Sequence, residues 1–379
     1  MAGQSPPPFF FQPNVVRETA SDASASRDFH RRLPGYSATP LVDFPEVARY
    51  LGIGKLLAKN ESSRLGLPAF KILGASWATY RALERRLGRS LDRWKNLPDL
   101  VRELAPLRPL CLTTATDGNH GRAVAHVAAL FGFEARIYVP AGTAQARIDG
   151  IASEGAEVVV VEGTYDAAVE RAAGDASSQC LVISDTSWPG YEQIPQWVIE
   201  GYETIFSEID EQLAQGDDQS PDLIVVQFGV GALAAAVVRH EWRGAPPKLL
   251  SVEPFRAACG LASAAAGKVV DVPGPHDSIM AGLNCGRVSL IAWSIVSRGI
   301  DAFIAIADDR AREAMRLFAR AGIIAGETGA AGLGGLIELC KNVELAQLRD
   351  QLGVGDHTRA LIIITEGATD PAAYRQIVG

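Results

Sequence analysis

The stretch LCLTTATDGNHGRAVAHVAALFGFEARIYVP, residues 110–140, holds an apolar run, a polar loop, a helical pattern and a second apolar run. Two strands joined through a helix form the crossover that connects neighbouring parallel strands. Runs that are apolar along most of their length are typical of strands buried in a sheet covered on both faces. The segment therefore predicts an α/β protein built on a parallel sheet.

The same alternation continues along the rest of the chain. Helical patterns follow many of the strand candidates, as at 144–155 and 231–244, and each ends near a glycine suited to the position after a helix. We expect a largely parallel sheet flanked by helices. The further strand candidates are AEVVVVEG (156–163), CLVISD (180–185), LIVVQFG (223–229), LLSVEP (249–254), FIAIAD (303–308) and ALIIITEG (360–367).

Length and charge narrow the class of protein. A chain of 379 residues, 47% of them hydrophobic, can build two domains with sizeable cores. The formal net charge of −8 argues against a nucleic-acid partner. No apolar stretch reaches the roughly 20 residues of a membrane span, and the N-terminus lacks the pattern of a secretory signal. We expect a cytoplasmic protein with neither nucleic acid nor membrane as a partner.

The five cysteines are scattered and show no CxxC spacing. Neither a zinc site nor a disulfide framework is predicted from such a distribution. Separated thiols, odd in number, fit a reducing compartment. The cysteines are Cys111, Cys180, Cys259, Cys285 and Cys340.

One lysine stands out because of its neighbours. The segment ESSRLGLPAFKILGASWATY (61–80) places Lys71 among apolar and small residues. Burial disfavours the ammonium and lowers its pKa, which is the condition that a Schiff-base lysine requires. A lysine whose stem packs on apolar surface while its head reaches water is the alternative, and this segment by itself leaves both open.

Polar side chains also stand where a strand ends and a helix begins. TTATDGNHGRAVA (113–125) places Asp117, Asn119 and His120 at the carboxyl end of a strand, where open α/β sheets bind ligands. Turn formation and helix capping explain the Asp and Asn equally well. For His120 alone, a structural role is the more common one.

Two further strand ends carry signals for a small anion and a ring nitrogen. Gly229, Val230, Gly231 and Ala232 lead into a helix, whose N–H groups and dipole suit a phosphate. Their spacing matches neither a P-loop nor a complete GxGxxG fingerprint, and a plain turn remains open. Thr365 ends the last strand, where a hydroxyl can hydrogen-bond a heteroaromatic nitrogen.

The order of these signals resembles the β-family, or fold type II, of pyridoxal-phosphate (PLP) enzymes, which includes serine/threonine dehydratases and tryptophan synthase β-chains. Within that group the chain is similar to the diaminopropionate ammonia-lyases. The resemblance runs from about residue 35 to the C-terminus. The motifs that carry it are ESSRLGLPAFKILGASWA, TATDGNHGRAVA, YVPAGTAQARIDGIASEGAEVVVVEGTYDAAV, SDTSWPGYEQIPQWVIEGY, GVGA, SVEP, IMAGLNCG, AGETGAAGLGGL and TEGATDP.

The resemblance implies a role for each of the residues singled out above. Lys71 is similar to the lysine that forms a Schiff base with the cofactor, and Asn119 to the partner of its 3′-oxygen. The run from Gly229 to Ala232 resembles the phosphate-binding loop. Thr365 is similar to the partner of the pyridine nitrogen, and a neutral hydroxyl there leaves that nitrogen largely unprotonated.

The resemblance also implies a reaction, the α,β-elimination of ammonia from D- or L-2,3-diaminopropionate, which yields pyruvate and ammonia. Two acidic residues suit this small amino-acid substrate: Asp117, and Asp185 in SDTSWPGY. A carboxylate can bind the β-ammonium and can take a proton from one face of Cα. Our hypothesis assigns the proton of the L-isomer to Lys71 and that of the D-isomer to Asp117, with Asp185 assisting.

Alternatives to this function remain open. The first alternative is a serine/threonine-type dehydratase, or a lyase or synthase that acts on another β-substituted amino acid. The acidic Asp117 favours the diamino substrate over these. Trp77, Ala75 and Ala368 depart from the family pattern. A non-catalytic binding module has no need for Lys71 with two carboxylates, and a nucleotide-binding protein needs a fuller phosphate fingerprint.

The family architecture implies two domains and a homodimer. We expect a large PLP-binding domain from residues 1–80 and 201–379, a small domain from 81–200, and an irregular N-terminal arm over 1–35. Cys259 and Cys285 occupy positions typical of close relatives and are expected to lie near the site. We interpret them as two independent thiols.

Overall fold

The apolar runs of the sequence form two separate sheets in the computed structural model, which describes residues 9–18, 24–216 and 218–379. Over these ranges the strands are β1 (Phe9–Phe11), β2 (Leu41–Asp43), β3 (Lys55–Asn60), β4 (Cys111–Ala115), β5 (Glu134–Pro140), β6 (Glu157–Val161), β7 (Cys180–Val182), β8 (Leu223–Gln227), β9 (Lys248–Pro254), β10 (Ala302–Ile306) and β11 (Arg359–Ile364).

Helices cover these sheets. None in the described ranges is both long enough and apolar enough to cross a membrane. They are α1 (Ser24–Arg31), α2 (Pro45–Leu51), α3 (Lys71–Leu87), α4 (Leu97–Glu103), α5 (Asn119–Phe131), α6 (Gln145–Ala152), α7 (Tyr165–Ala173), α8 (Gln193–Gln215), α9 (Ala232–Arg239), α10 (Cys259–Ala266), α11 (Leu290–Gly299), α12 (Asp308–Arg320), α13 (Ala331–Lys341), α14 (Ala346–Leu352) and α15 (Pro371–Val378).

The larger sheet has seven strands in the order β1-β10-β9-β8-β11-β3-β2, and the smaller has four in the order β6-β5-β4-β7. Neighbouring strands are parallel throughout, except that β1 and β2 run antiparallel at the two edges of the larger sheet. All eight predicted strands are present. The predicted class, an α/β fold of type II with two mostly parallel sheets flanked by helices, is confirmed.

Some local predictions were wrong. The helix predicted over 231–244 ends at Arg239, because the backbone at His240 is already extended. The arm over 1–35 is only partly irregular where it is described: 9–11 pair with β10 and 24–31 form α1, whereas 12–18 form neither helix nor strand. Residues 1–8 and 19–23 lie outside the described ranges. The domain division at 80/81 and 200/201 stays a prediction.

Helices α3 and α8 approach each other closely at two glycines. A Cβ on Gly201 would lie 2.5 Å from the carbonyl oxygen of Leu73. A Cβ on Gly74 would lie 2.5 Å from the ring of Tyr202. Side chains at these positions would force the helices apart, so the glycines fix the placement of α3, which begins at Lys71.

A buried network of four charged side chains anchors the segment that precedes α3. Glu208 of α8 accepts hydrogen bonds from Lys59 Nζ at 2.7 Å and from Arg64 Nη1 at 2.8 Å. Arg64 also donates to Glu61 at 2.6 Å, and all four side chains are fully buried. Burial raises the pKa of Glu208, but Arg64 and Lys59 outweigh it and hold that pKa at about 2.

We expect Glu208→Gln to lower the free energy of unfolding by about 3 kcal/mol or more, because Lys59 and Arg64 would keep buried charges without their shared partner. Urea unfolding measures the change. Glu211→Gln, three residues along the same helix in a half-exposed pair with Arg27, is the matched control and should cost less than about 1 kcal/mol. Equal losses in the two variants would contradict a special role for the buried network.

Candidate active site

The two sheets face one cavity, and the loops that follow their strands line it. Its empty space, including the part that is open to solvent, is about 710 Å³. The loops after β4 and β7 come from the smaller sheet, and those after β8 and β11 from the larger one. All nine predicted site residues line it: Lys71, Asp117, Asn119, Asp185, Gly229, Val230, Gly231, Ala232 and Thr365. Their individual roles stay predictions.

Lys71 is paired with a carboxylate across this cavity. Its Nζ donates to Oδ2 of Asp185 at 2.6 Å, and the two side chains are 20% and 6% exposed. Burial lowers the pKa of Lys71, as the sequence predicted, but Asp185 outweighs burial and the net pKa is raised. The expectation of a lowered pKa was therefore wrong, because the partner lies 114 positions away in the chain.

The two carboxylates of the cavity differ in protonation. Burial raises the pKa of Asp185, but the charge of Lys71 and its hydrogen bond outweigh burial and bring that pKa down to about 2. Burial also raises the pKa of Asp117. Here the effect of burial is larger than that of the neighbouring charges, so the pKa of Asp117 is about 6. Two carboxyl groups whose environments separate their pKa values can serve different roles in one site.

Two further residues lie beside Asp185: His120, which a sequence motif had indicated, and Tyr165, which the sequence had not singled out. His120 Nε2 lies 2.8 Å from the carbonyl oxygen of Ile183, and burial lowers the pKa of this histidine. The neutral ring therefore donates through Nε2, while Nδ1 has no hydrogen-bond partner among the described residues. Tyr165, which sequence reasoning missed, places its hydroxyl 3.5 Å from Asp185 Oδ1.

Asn119 is held by a residue that was also missed. Its Nδ2 donates to Oε2 of Glu366, which follows β11 and is buried. The other oxygen of Glu366 accepts the backbone N–H of Thr328 at 3.0 Å. This carboxylate thus connects the loop after β4 in the smaller sheet with two loops of the larger one. Its position beside Thr365 in the TEGATDP motif was the available signal.

Thr365 is oriented by Gln227, at the end of β8. Gln227 Nε2 lies 2.7 Å from the carbonyl oxygen of Ile363 and 3.4 Å from Thr365 Oγ1. The contact with a carbonyl oxygen fixes which end of the amide faces Thr365, because only a donor fits there. Since the threonine oxygen accepts this bond, its own O–H is left to donate into the cavity.

The loop from Gly229 to Ala232 presents backbone donors. Gly231 has a φ of +94°, in the left-handed region that glycine tolerates. The hydrogen bonds of this turn begin with Ala235 N, which donates to Gly231 O at 2.8 Å. The backbone N–H groups of residues 229–234 have no hydrogen-bond acceptor in the described part of the chain. Free donors at the start of α9, with the helix dipole, suit a small anion.

Comparison with known proteins identifies the group to which this site belongs. Residues 32–364 match the model of the pyridoxal-phosphate dependent enzyme family. The chain belongs to that family. It is 36% identical to the diaminopropionate ammonia-lyase of Salmonella typhimurium over 366 residues, which are 92% of this chain and 90% of that protein. The Escherichia coli K12 protein of that name is 36% identical over 94% of this chain and 91% of its own.

Solved structures agree with this PLP-enzyme assignment. The Escherichia coli diaminopropionate ammonia lyase in complex with D-serine superposes with a TM-score of 0.90 at 33% identity, covering 98% of this chain and 96% of that one. The same enzyme with an aminoacrylate-PLP azomethine intermediate gives a TM-score of 0.88 at 33% identity, with the same coverage. A pyridoxal 5'-phosphate-dependent aspartate racemase shares the fold with a TM-score of 0.75. It is 22% identical, and the match covers 95% of this chain and 100% of that one.

The residues of this PLP enzyme fit the cofactor. The donors of residues 229–234 suit its phosphate, and the free O–H of Thr365 suits a ring nitrogen that carries no proton. Asn119 is positioned beside Glu366, and Lys71 supplies the amine. The described residues contain no cluster of three or more metal-ligating side chains.

Cysteines lie next to the phosphate-binding loop. Cys259 Sγ is 3.6 Å from the carbonyl oxygen of Gly229, and Cys285 Sγ would be 3.4 Å from a Cβ on Gly229. The two sulfurs therefore approach the same loop residue, and Cys285 lines the cavity. All five cysteines of the chain lie in the described ranges and are free thiols.

We expect Gly231→Ala to weaken PLP binding about tenfold or more. A left-handed backbone costs a residue with a Cβ about 1–2 kcal/mol, and this Cβ would lie 2.9 Å from the ring of Phe228, so the loop would shift. Equilibrium dialysis against PLP, followed by absorbance, measures the affinity. Gly244→Ala is the control: Gly244 has a φ of +76° with nothing within 4 Å, so the strain is similar but PLP affinity should not change. Equal affinities in the two variants would refute the phosphate assignment.

Proposed function

We propose that this chain is a diaminopropionate ammonia-lyase. It converts 2,3-diaminopropionate, as the D- or the L-isomer, and one water into pyruvate and two molecules of ammonia. The observation that carries the proposal is the placement of Asp117 and Asp185 in one cavity with Lys71, whose Nζ lies 2.6 Å from Asp185. Identity of 36% over 92% of the chain to an enzyme of that name supports it.

The PLP cofactor, when bound, withdraws electrons from Cα of the amino acid and makes its proton removable. Lys71, Asn119, Thr365 and the loop from Gly229 to Ala232 are the groups that hold it. The chain must then supply a base at Cα and a stable environment for the departing β-amino group. Lys71 and the two carboxylates are available for both tasks.

Lys71 can act as a base when another cation binds its partner Asp185. With Asp185 at 2.6 Å, the ammonium form of Lys71 is favoured. A β-ammonium of the substrate competes for the same carboxylate, and burial, which acts to lower the pKa of Lys71, then prevails. Once the substrate has released Lys71 from the cofactor and occupies Asp185, Lys71 is left as the neutral amine that can take the Cα proton of the L-isomer.

Asp117 is the proposed base for the D-isomer, because its pKa of about 6 leaves it ionised at neutral pH yet still able to accept a proton. Asp185, ionised across the working range, keeps the β-nitrogen protonated. A protonated nitrogen departs as neutral ammonia and takes the electrons of the C–N bond with it. No separate acid is needed for this step.

The proposal extends to assembly, domains and compartment. A homodimer, and a small domain of residues 81–200 that closes over the cavity and excludes water, are supported by the resemblance to the family. A cytoplasmic location is supported by five free cysteines. The substrate is a small amino acid.

The experiment that tests the proposal supplies the purified holoenzyme with D- and L-diaminopropionate, serine and threonine in parallel. Pyruvate, 2-oxobutyrate and ammonia are followed. We expect diaminopropionate to be turned over at least tenfold faster than the hydroxy amino acids, because Asp117 and Asp185 bind a cationic β-group and offer no proton to a hydroxyl. Reduction of the holoenzyme with borohydride should abolish both the visible band and the activity. Turnover of serine alone would refute the ammonia-lyase assignment.

Asp117→Asn separates the two isomers. We expect kcat/KM for the D-isomer to fall about 100-fold or more, which is the size of a general-base contribution, while the L-isomer changes by less than about tenfold. In the unmodified enzyme, kcat/KM for the D-isomer should fall as the pH drops through about 6, where Asp117 takes up a proton. The L-isomer serves as the internal control. Equal loss of both isomers, or of neither, would rule out the division of roles.

A further inference from the structure

A second cavity adjoins the site on the solvent side. It contains about 1370 Å³ of empty space and shares Asp117 and Tyr165 with the first cavity. Loops that follow β5 and β6 form one wall, and the segments 275–284 and 370–373 form the other. We call this space the vestibule.

Glu327 lines the vestibule and has one carboxylate oxygen without a hydrogen-bond partner among the described residues. Its side chain is only 3% exposed, and its Oε2 has no hydrogen-bond partner in the part of the chain that the structure describes. The mechanism proposed above makes no use of it. A buried carboxylate oxygen without a donor is costly, and a cationic ligand that supplied one would relieve that cost.

Asn284 adds a second acceptor to the vestibule. Its Nδ2 donates to the carbonyl oxygen of Ser278 at 2.8 Å, which fixes the orientation of the amide. Its Oδ1 is buried and has no partner among the described residues. Two unsatisfied acceptors that line one cavity match the several N–H donors of an ammonium group.

Arg147 supplies the opposite charge in the other wall. It stands on α6 and lines the vestibule beside Asp117. Its Cδ would be 3.0 Å from a Cβ on Gly118, so the guanidinium stem packs against the loop that carries Asp117 and Asn119. No ion pair or hydrogen bond joins its side chain to another described residue. Its charge acts to lower the pKa of Asp117 and of Glu327 without a direct ion pair. Its N–H donors are therefore available to a carboxylate ligand.

We propose that Glu327 and Arg147 form an outer subsite that recognises free 2,3-diaminopropionate by both of its ends. Arg147 binds the carboxylate, and Glu327 with Asn284 binds an ammonium, before the substrate moves on to Asp117. The inference rests on the proposed function, because only a diamino acid offers a second ammonium for Glu327. Such a subsite raises the rate of productive capture and acts on KM rather than on kcat.

The test compares Glu327→Gln with the unmodified holoenzyme, using L-diaminopropionate as the substrate and L-serine as a competitor that lacks the β-amino group. We expect KM for diaminopropionate to rise about tenfold, while kcat and the inhibition constant of serine stay within about twofold. Unfolding temperature and PLP content should not fall, because the lost carboxylate oxygen has no partner in the folded chain. An unchanged KM, or an equal shift of the serine constant, would overturn the proposal.

Asp277→Asn is the matched control. Asp277 lines the same vestibule, but its carboxylate is already paired with Arg256 Nη1 at 2.6 Å and 2.5 Å. We expect both constants to stay within about twofold of the unmodified enzyme. A tenfold rise of KM in this variant as well would mean that general vestibule charge, not Glu327, is responsible, and would overturn the assignment.

Arg147→Gln tests the other end of the substrate. We expect it to raise both KM for diaminopropionate and the inhibition constant of serine, since both molecules carry the carboxylate, and Arg147→Lys to restore part of each. Failure of the unmodified enzyme to act on diaminopropionate would reject the proposed function itself. The ratio of constants between variant and unmodified enzyme tests the subsite separately.

Discussion

The ion pair between Lys71 and Asp185 is the contact on which the arrangement of the site depends. Asp185 belongs to the loop after β7 of the smaller sheet, whereas Lys71 is tied to the larger sheet by its neighbour, since Phe70 N donates to Thr365 O at 3.2 Å. Neither buried charge is stable without the other. The pair therefore holds the loops of the two sheets close together, and the cavity is the space between them.

Electrostatics in this space change from the centre outward. At the centre the lysine and Asp185 neutralise each other, while Asp117 at the rim titrates at about 6. Further out, Arg147 and Glu327 line the vestibule, and Glu327 Oε2 has no hydrogen-bond partner among the described residues. A substrate that carries one negative and two positive groups meets complementary charges at each stage.

The fold was predictable where local pattern was sufficient. Eight strands follow from apolar runs, and their loops were placed at the correct ends because parallel strands put all their carboxyl ends on one edge. Strand β3 (KLLAKN) was missed because Lys59 within it is typical of a surface. Glu208, 149 positions away, supplies the opposite charge that makes its burial possible. Helix α9 ended early for a similar reason: His240 and Trp242 turn in to pack against Phe206 of α8.

The sequence by itself determined which nine residues line the cavity, since each belongs to a short motif at the end of a strand or the start of a helix. It did not determine what state those residues are in. Three contacts set that state: Asp185 raises the pKa of Lys71, Glu366 accepts a hydrogen bond from Asn119, and Gln227 orients Thr365. Each of them joins residues more than 100 positions apart. The unpartnered oxygen of Glu327 is likewise a property of its surroundings. Only tertiary packing sets those distances, and the charge of a buried group depends on distance above all.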